Sequence, residues 1–318
     1  MKTAPVFIGT LNRSDHFKQA VESLKQNQLA QDTHLFIGLD YPSKDEHYSG
    51  YNQTLDYLEN IKGFKEVTVF KRSTNMGAAK NFKDGQDNVL QLYDRIIISE
   101  DDNYFSPTFL AYMNAGLDKF ESDRRIFGIC GHNYPISFES KYSGNYYAWQ
   151  GASVWGFGTW RDRYQSLNYT INDLCAYLRK PVNVIRAYRI APHYIASMLG
   201  KVQSKADFDP FSDAVINLYL RNHNQYCIFP TLSKVRNFGH DGTGLRSGII
   251  QGDNPFVTQA IDDATSFEFQ SNTEELFENP AINRMLFRYF YRGPMQSLKT
   301  LWALLKYYIG NRACVRKT

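Results

Sequence analysis

The sequence predicts an α/β fold: a mostly parallel central sheet flanked by helices, with a helical appendage at the C-terminus. Three observations carry it. Short apolar runs alternate with helical patterns through residues 6–120. The run Arg95-Ile-Ile-Ile-Ser99 is apolar without alternation, as in strands covered on both faces of a parallel sheet. Polar residues gather where these runs end, and in βαβ architectures ligands bind beyond the carboxyl ends of the strands.

Val6–Thr10 reads as the first strand and runs into Asn12-Arg13-Ser14. Ser14 is placed to cap a helix whose apolar positions Phe17, Ala20, Val21 and Leu24 keep helical spacing. Leu35–Leu39 is a second strand, ending at Asp40 and a Pro42-Ser43 turn, and Leu55, Leu58 and Ile61 mark the next helix. Val67–Phe70 is a third strand, followed by Asn75-Met76-Gly77 and a helix through Phe82 and Val89. Arg95–Ser99 is the fourth. After the acids that follow it, Ser106 is expected to cap and Pro107 to open a helix carrying Phe109, Tyr112, Met113, Leu117 and Phe120. From Ile126–Cys130 onward the pattern is less regular and more aromatic. A glycine-broken, indole-rich stretch at Trp149–Trp160 precedes a short helical segment at Arg161–Tyr164. Asp207–Arg221 reads as a helix capped by Asp209, Cys227–Pro230 as a strand, and Asn237–Gly244 as a loop with three glycines.

With 43% hydrophobic and 21% charged residues, the 318-residue chain has the composition of a globular protein, not a disordered one. Its four cysteines, Cys130, Cys175, Cys227 and Cys314, have no CxxC spacing, which fits neither a zinc site nor a disulfide framework. The apolar start at Val6–Ile8 is too short for a signal-peptide core, and no apolar run approaches the length of a spanning helix. The expectation is a cytoplasmic protein. The net charge of +4 is uneven: after Glu278 there are eight Lys or Arg residues and no acid, so the preceding chain is net acidic. A nucleic-acid partner is not expected, because such binders spread basic residues over the main domain.

Glu100-Asp101-Asp102 places three carboxylates at the exit of a buried strand. Period-two geometry aims Glu100 and Asp102 to one side and Asp101 to the other. Three adjacent carboxylates repel unless a cation compensates. A hard divalent ion such as Mn²⁺ or Mg²⁺ takes oxygen ligands, often one or two carboxylates together with substrate phosphates. Such a cluster also fits a solvated loop, a reading that its place at a βα strand end disfavours.

The run IIISEDDNYFSPTFLAYM resembles the Glu-Asp-Asp variant of the Asp-x-Asp motif in GT-A glycosyltransferases, notably N-acetylglucosaminyltransferase I and its bacterial relatives. The opening PVFIGTLNRSDHFKQAVESL is similar to the first strand and helix of that fold. Asn75-Met-Gly-Ala-Ala-Lys-Asn81 resembles the Asn-x-Gly segment of family 2 transferases. The resemblance spans roughly residues 4–245. It implies transfer of a sugar, with inversion, from a nucleotide-diphosphate donor to a glycan or lipid-linked glycan acceptor. It implies Asp102 as the metal ligand that bridges to the diphosphate, Glu100 on the ribose and Asp101 near the nucleotide or sugar. Arg13 and Asp40 would line the base and ribose pocket, with Asn75 and Lys80 as further donor contacts. Asp213 is the implied general base, with Asp209 and Asp207 as rivals, and His240 a second metal ligand, with Asp241 competing for any polar role. Trp155 and Gly156 belong to a stretch that fits an acceptor floor or plain core.

Three other functions compete. A sugar nucleotidyltransferase calls for a Gly-x-Gly-x-Arg loop, whereas Gly9–Arg13 holds one glycine. A glycosidase needs two carboxylates across a cleft and no metal, and a non-catalytic sugar-binding module remains open because fold alone proves no activity. The expected organisation is a catalytic domain over 1–260, with a donor half to about 125 and an acceptor half from 126, then an extension over 261–318. Within that extension Leu298, Leu301, Trp302, Leu305, Tyr308 and Ile309 keep helical spacing, with Lys299 and Lys306 off the stripe. This basic amphipathic helix is expected to make peripheral contact with an anionic membrane at its inner face, unless it packs on the domain.

Overall fold

The computed structural model describes residues 3–138, 142, 144–204, 211–244, 248–270, 276, 277, 279–291 and 293–315. The first half follows the expected alternation: β1 (Val6–Thr10), α1 (Ser14–Lys25), β2 (His34–Leu39), α2 (His47–Leu58), β3 (Glu66–Lys71), α3 (Ala78–Leu92) and β4 (Arg95–Glu100). A short β5 (Asn103–Phe105), α4 (Phe109–Lys119) and β6 (Ile126–Cys130) come next. The second half holds β7 (Tyr146–Trp149), β8 (Phe157–Trp160) and four consecutive helices, α5 (Arg161–Ser166), α6 (Ile171–Leu178), α7 (Pro181–Ile190) and α8 (Pro192–Ser204). It continues with α9 (Asp213–His223), β9 (Tyr226–Pro230), β10 (Val235–Asn237), α10 (Pro255–Thr258), α11 (Pro280–Phe290) and α12 (Gly293–Val315).

One eight-stranded sheet runs in the order β3-β2-β1-β4-β8-β6-β9-β7, and β5 pairs with β10 in a second, two-stranded sheet. The β3-β2-β1-β4 half is wholly parallel, and β6 is parallel to β9. The pairings β4/β8, β8/β6 and β9/β7 are antiparallel. The chain leaves β1 toward β2 and β3 and returns on its other side as β4. The β1/β4 boundary is therefore a topological switch point, the place where such sheets bind ligands.

Alternation along the strands divides the core in two. Val6, Ile8, Leu35, Ile37 and Ile97 pack with α1 and α4, whereas Phe7, Phe36, Ile96 and Ile98 pack with α3 and the helices of the second half. Both faces of β1, β2 and β4 are thus buried, which accounts for their continuous apolar sequence. Residues beyond 260 join both halves of the core. Phe267 and Phe269 lie edge-on to each other, with Phe269 against Tyr112, and Ile282, Leu286 and Phe290 of α11 are buried. Lys234 and Asp262 form a buried ion pair, and Thr108 at the start of α4 hydrogen-bonds Asp262 at 2.7 Å.

Four local expectations need correction. Arg13, not Ser14, is the N-cap of α1, and the Ser14 hydroxyl donates to Gln53 on α2 instead. The helix after β5 starts at Phe109, two residues beyond Pro107, with Thr108 in the N-cap position and its hydroxyl donating to Asp262. Helix α2 begins at His47 and ends before Ile61. Helix α9 begins at Asp213 with Ser212 in the N-cap position, and Asp207, Asp209 and Pro210 lie outside the described residues.

Candidate active site

The ends of β1, β2 and β4 open into a cleft of about 560 Å³. Thr10 ends β1, with Asn12 and Arg13 just after it, Asp40 follows β2, and Glu100 ends β4, with Asp101 and Asp102 next. Asn75 and Gly77 close in from the turn before α3, Val154 and Trp155 from the loop before β8, and Asn237 and His240 from β10 and the loop after it. Gly77 lies at φ 77°, a left-handed backbone that suits glycine at this start of α3.

Strand β4 stops at Glu100 and the chain turns at 101–102, so alternation does not extend through the acids. Asp101 and Asp102 consequently face the same cation. Arg13 Nη2 is paired with Asp101, and Arg13 Nη1 lies 2.8 Å from Asp102 Oδ2. The Thr10 hydroxyl donates to Asp101 at 2.9 Å, and Asn237 Nδ2 donates to Asp102 Oδ1 at 2.7 Å. The amide of Phe238 donates to the Asp102 carbonyl at 2.8 Å, which clamps the 237–244 loop onto the acidic turn. At Gly239 a Cβ would stand 2.1 Å from Asp102 Oδ2, so only glycine lets this loop approach the carboxylate.

The electrostatics follow from crowding in a buried place. Burial, reinforced by Asp102, Asp213 and Asp101, holds the Glu100 carboxyl well above the usual range, and Arg13 only partly opposes it. Burial also raises Asp101, against the pull of Arg13. For Arg13, burial works to lower the pKa, but Asp101 and Asp102 outweigh it and hold the guanidinium above its ordinary value. One arginine among three carboxylates leaves an excess of negative charge on the cleft floor.

Asp40 fastens two loops. Its Oδ1 accepts the amides of Tyr41 at 2.9 Å and Met76 at 2.8 Å, while Asn75 Nδ2 donates to the Tyr41 carbonyl at 2.6 Å. His240 is stacked on Phe256 at 5.0 Å and edge-on to Trp155 at 5.6 Å. Its Nδ1 is buried without a hydrogen-bond partner, and burial keeps the imidazole below its ordinary pKa, opposed by Asp102 and Asp241. Asp241 accepts from His16 of α1 at 2.8 Å. Asp213, the first residue of α9, accepts the Val154 amide at 3.2 Å and acts electrostatically on Glu100.

The structure therefore brings Arg13, Asp40, Asn75, Glu100, Asp101, Asp102, Trp155 and His240 to one cleft. Asp213 sits beside it, through Val154 and Phe211, which do line it. Lys80 and Gly156 are not among the lining residues. Lys80 is exposed on the outer side of α3, because the inner face is set by Asn81, Phe82 and Gln86. Gly156 turns inward at φ 69°; its carbonyl accepts the Gly131 amide at 2.7 Å, and a Cβ there would meet Phe109 at 2.8 Å. Lys83, Gln86, His47 and Asn237 line the cleft and were not singled out from the sequence. For Lys83 and Gln86 the helical stripe through Phe82 and Val89 held the signal. Asn237 depends on the β5/β10 register, Asn237 opposite Asn103, which local sequence does not encode.

No protein-family model and no curated protein matches the chain. Among solved structures it is similar to S. aureus TarS 1–349 in complex with UDP-GlcNAc, at 18% identity and a TM-score of 0.31, covering 38% of this chain and 32% of that one. A further structure of S. aureus TarS 1–349 matches at 15% identity and a TM-score of 0.37, over 53% of this chain and 50% of that one. The mannosyltransferase PcManGT from Pyrobaculum calidifontis, in complex with GDP-Man and Mn²⁺, matches at 12% identity and a TM-score of 0.39, over 70% of each chain. The chain thus spans about a third of the TarS–UDP-GlcNAc structure, and likeness this remote carries no weight for the reaction.

Proposed function

We propose that this chain is a metal-dependent glycosyltransferase of the GT-A type. It would transfer a sugar, with inversion, from a nucleotide-diphosphate donor to a hydroxyl of a glycan or glycolipid acceptor. The observation that carries this reading is the acidic turn Glu100–Asp102, fixed by Arg13 and Asn237 on the floor of a cleft at the β1/β4 switch point. In this reading residues 1–125 form the donor half of a catalytic domain, 126–260 its acceptor half, and 261–318 an extension.

The residues fit a hard divalent cation. Among the described residues no three His, Cys, Asp or Glu side chains gather as a metal cage. A Mn²⁺ or Mg²⁺ bound largely through substrate phosphates needs only one or two protein ligands. Asp102 and His240, whose buried Nδ1 has no partner, would hold it. When bound, the ion would act as a Lewis acid on the leaving diphosphate.

The protein's own groups supply the rest. Arg13 orients Asp101 and Asp102, and Asp40 with Asn75 shapes the nucleoside end of the cleft. Glu100 is set to meet the ribose, as a hydrogen-bond donor when protonated. Asp213 takes the proton of the acceptor hydroxyl as its oxygen bonds to the anomeric carbon. The bond from that carbon to the diphosphate oxygen breaks, and the electron pair leaves with the diphosphate. Trp155 at the cleft wall would be an aromatic contact for the acceptor.

The test is release of nucleoside diphosphate from a panel of UDP-, GDP- and dTDP-sugars with Mn²⁺. Turnover is expected to vanish in excess EDTA and in Asp102→Ala, with the thermal transition of that variant retained. Full turnover in either condition would sink the assignment.

A further inference from the structure

Helix α12 is apolar on two sides, and the protein covers only one of them. On the covered side Thr300 and Leu304 are buried, Ser297 meets the Tyr188 hydroxyl of α7 at 2.8 Å, and the Tyr308 hydroxyl donates to the Leu178 carbonyl of α6. Tyr308, expected on the outer stripe, therefore belongs to the packed face. On the other side Met295, Leu298, Trp302, Leu305 and Ile309 recur at alternating spacings of three and four, which keeps them in one line along a helix. These five and neighbouring Leu301 are 47–67% exposed. A continuous apolar stripe of this kind marks an interaction surface, whereas single exposed apolar residues do not.

Charge identifies the partner. Lys299 and Lys306 are exposed along one edge of the stripe, and Lys306 Nζ lies 5.4 Å from the Trp302 ring centroid, its stem beside the indole. Arg284 and Arg288 are exposed on α11. From residue 279 onward the sequence holds eight basic residues and no acid. α7, joined to α12 through Tyr188, exposes Val182 and Ile185 together with Arg186 and Arg189. A second copy of the chain would bring like charge against like charge along the whole contact. An anionic lipid surface accepts both features: the stripe enters the acyl boundary, and the lysines stay at headgroup level. No described helix is long and apolar enough to cross a membrane.

We propose that α12 lies in the plane of an anionic lipid surface and docks the protein there through Leu298, Leu301, Trp302, Leu305 and Ile309. The proposal does not depend on the reaction catalysed.

Flotation of the full chain with phosphatidylglycerol and phosphatidylcholine vesicles tests it. Binding is expected to be about tenfold or more stronger on the anionic vesicles, to weaken in molar salt, and to shift Trp302 emission to the blue. Leu298→Ser/Leu305→Ser removes two exposed leucines and is expected to lower binding at least tenfold with an unchanged melting temperature. Equal binding to both vesicle types overturns the proposal. So does undiminished binding of the double variant, or a dimer that this variant converts to monomer while vesicles bind neither form.

Discussion

Arg13 shows what a single side chain does to an acidic motif. The cluster Glu100–Asp102 was legible as a site because three carboxylates at a buried strand's exit have no packing role. Its geometry was not legible: the turn at 101–102 overrides strand alternation and gives two carboxylates to one guanidinium. A second buried titratable group left no signal in the sequence. His132 follows β6, is fully buried, and has Nδ1 3.0 Å from the Ser153 hydroxyl while Nε2 has no partner. Burial alone pulls its pKa from 6.5 down to about 3. Its folded value lies below the unfolded one, so the unfolded chain takes up the proton first as pH falls. The stability this neutral imidazole allows is complete above pH 6.5 and is lost progressively toward pH 3. Between pH 7.5 and 5 the loss from this group is about 2 kcal/mol. Urea unfolding at the two pH values is expected to show a difference smaller by about that amount in His132→Gln. An identical pH dependence in both proteins would show that His132 is not the group responsible.

At the scale of elements, periodicity worked where strand partners are neighbours in the chain. β1 to β4 are continuous apolar runs linked by amphipathic helices, and the structure pairs them as parallel neighbours of β1 and β2. It failed where pairing is non-local: β8 lies between β4 and β6, and β7 pairs with β9 eighty residues later. The helices α6 to α8 were missed because their buried positions, such as Leu174, Leu178, Ala187 and Ile195, are diluted by polar and aromatic residues. α9 was read, but with its start set too early. The later start puts Asp213 first in the helix, where its carboxylate accepts the Val154 amide and acts electrostatically on Glu100. Asp213→Asn keeps an oxygen for that amide and removes only the basicity. Turnover is therefore expected to fall about a hundredfold or more, with donor affinity unchanged, as for loss of a general base. Stopped-flow or initial-rate kinetics beside donor-binding isotherms separate the two quantities. A near-normal rate would take the proton-acceptor role away from α9.

At the scale of the molecule, the last forty residues play two mechanical parts that composition alone had merged into one basic extension. α11 is a structural member of the core. Ile282 and Leu286 are buried, Phe290 stacks on Trp149 with ring centroids 5.6 Å apart, and Tyr134 meets Phe290 edge-on at 4.8 Å. Burying three such side chains is worth about 1.5–3 kcal/mol each, a sum comparable to the whole stability of a domain. Among the described side chains of α12, Leu304 is buried, Ala303, Tyr307 and Tyr308 pack partly against the core, and Met295, Leu298, Leu301, Trp302, Leu305 and Ile309 face solvent. A chain ending at Tyr291 should therefore unfold cooperatively with a stability lower by only about 2–3 kcal/mol. A chain ending at Asn279 should lose the cooperative transition, because Trp149, Tyr134 and Tyr194 would be left against a void. Urea denaturation followed by far-ultraviolet circular dichroism measures both. If the two truncations behave alike, the division of labour between α11 and α12 is wrong, and α12 holds the fold together as much as α11 does.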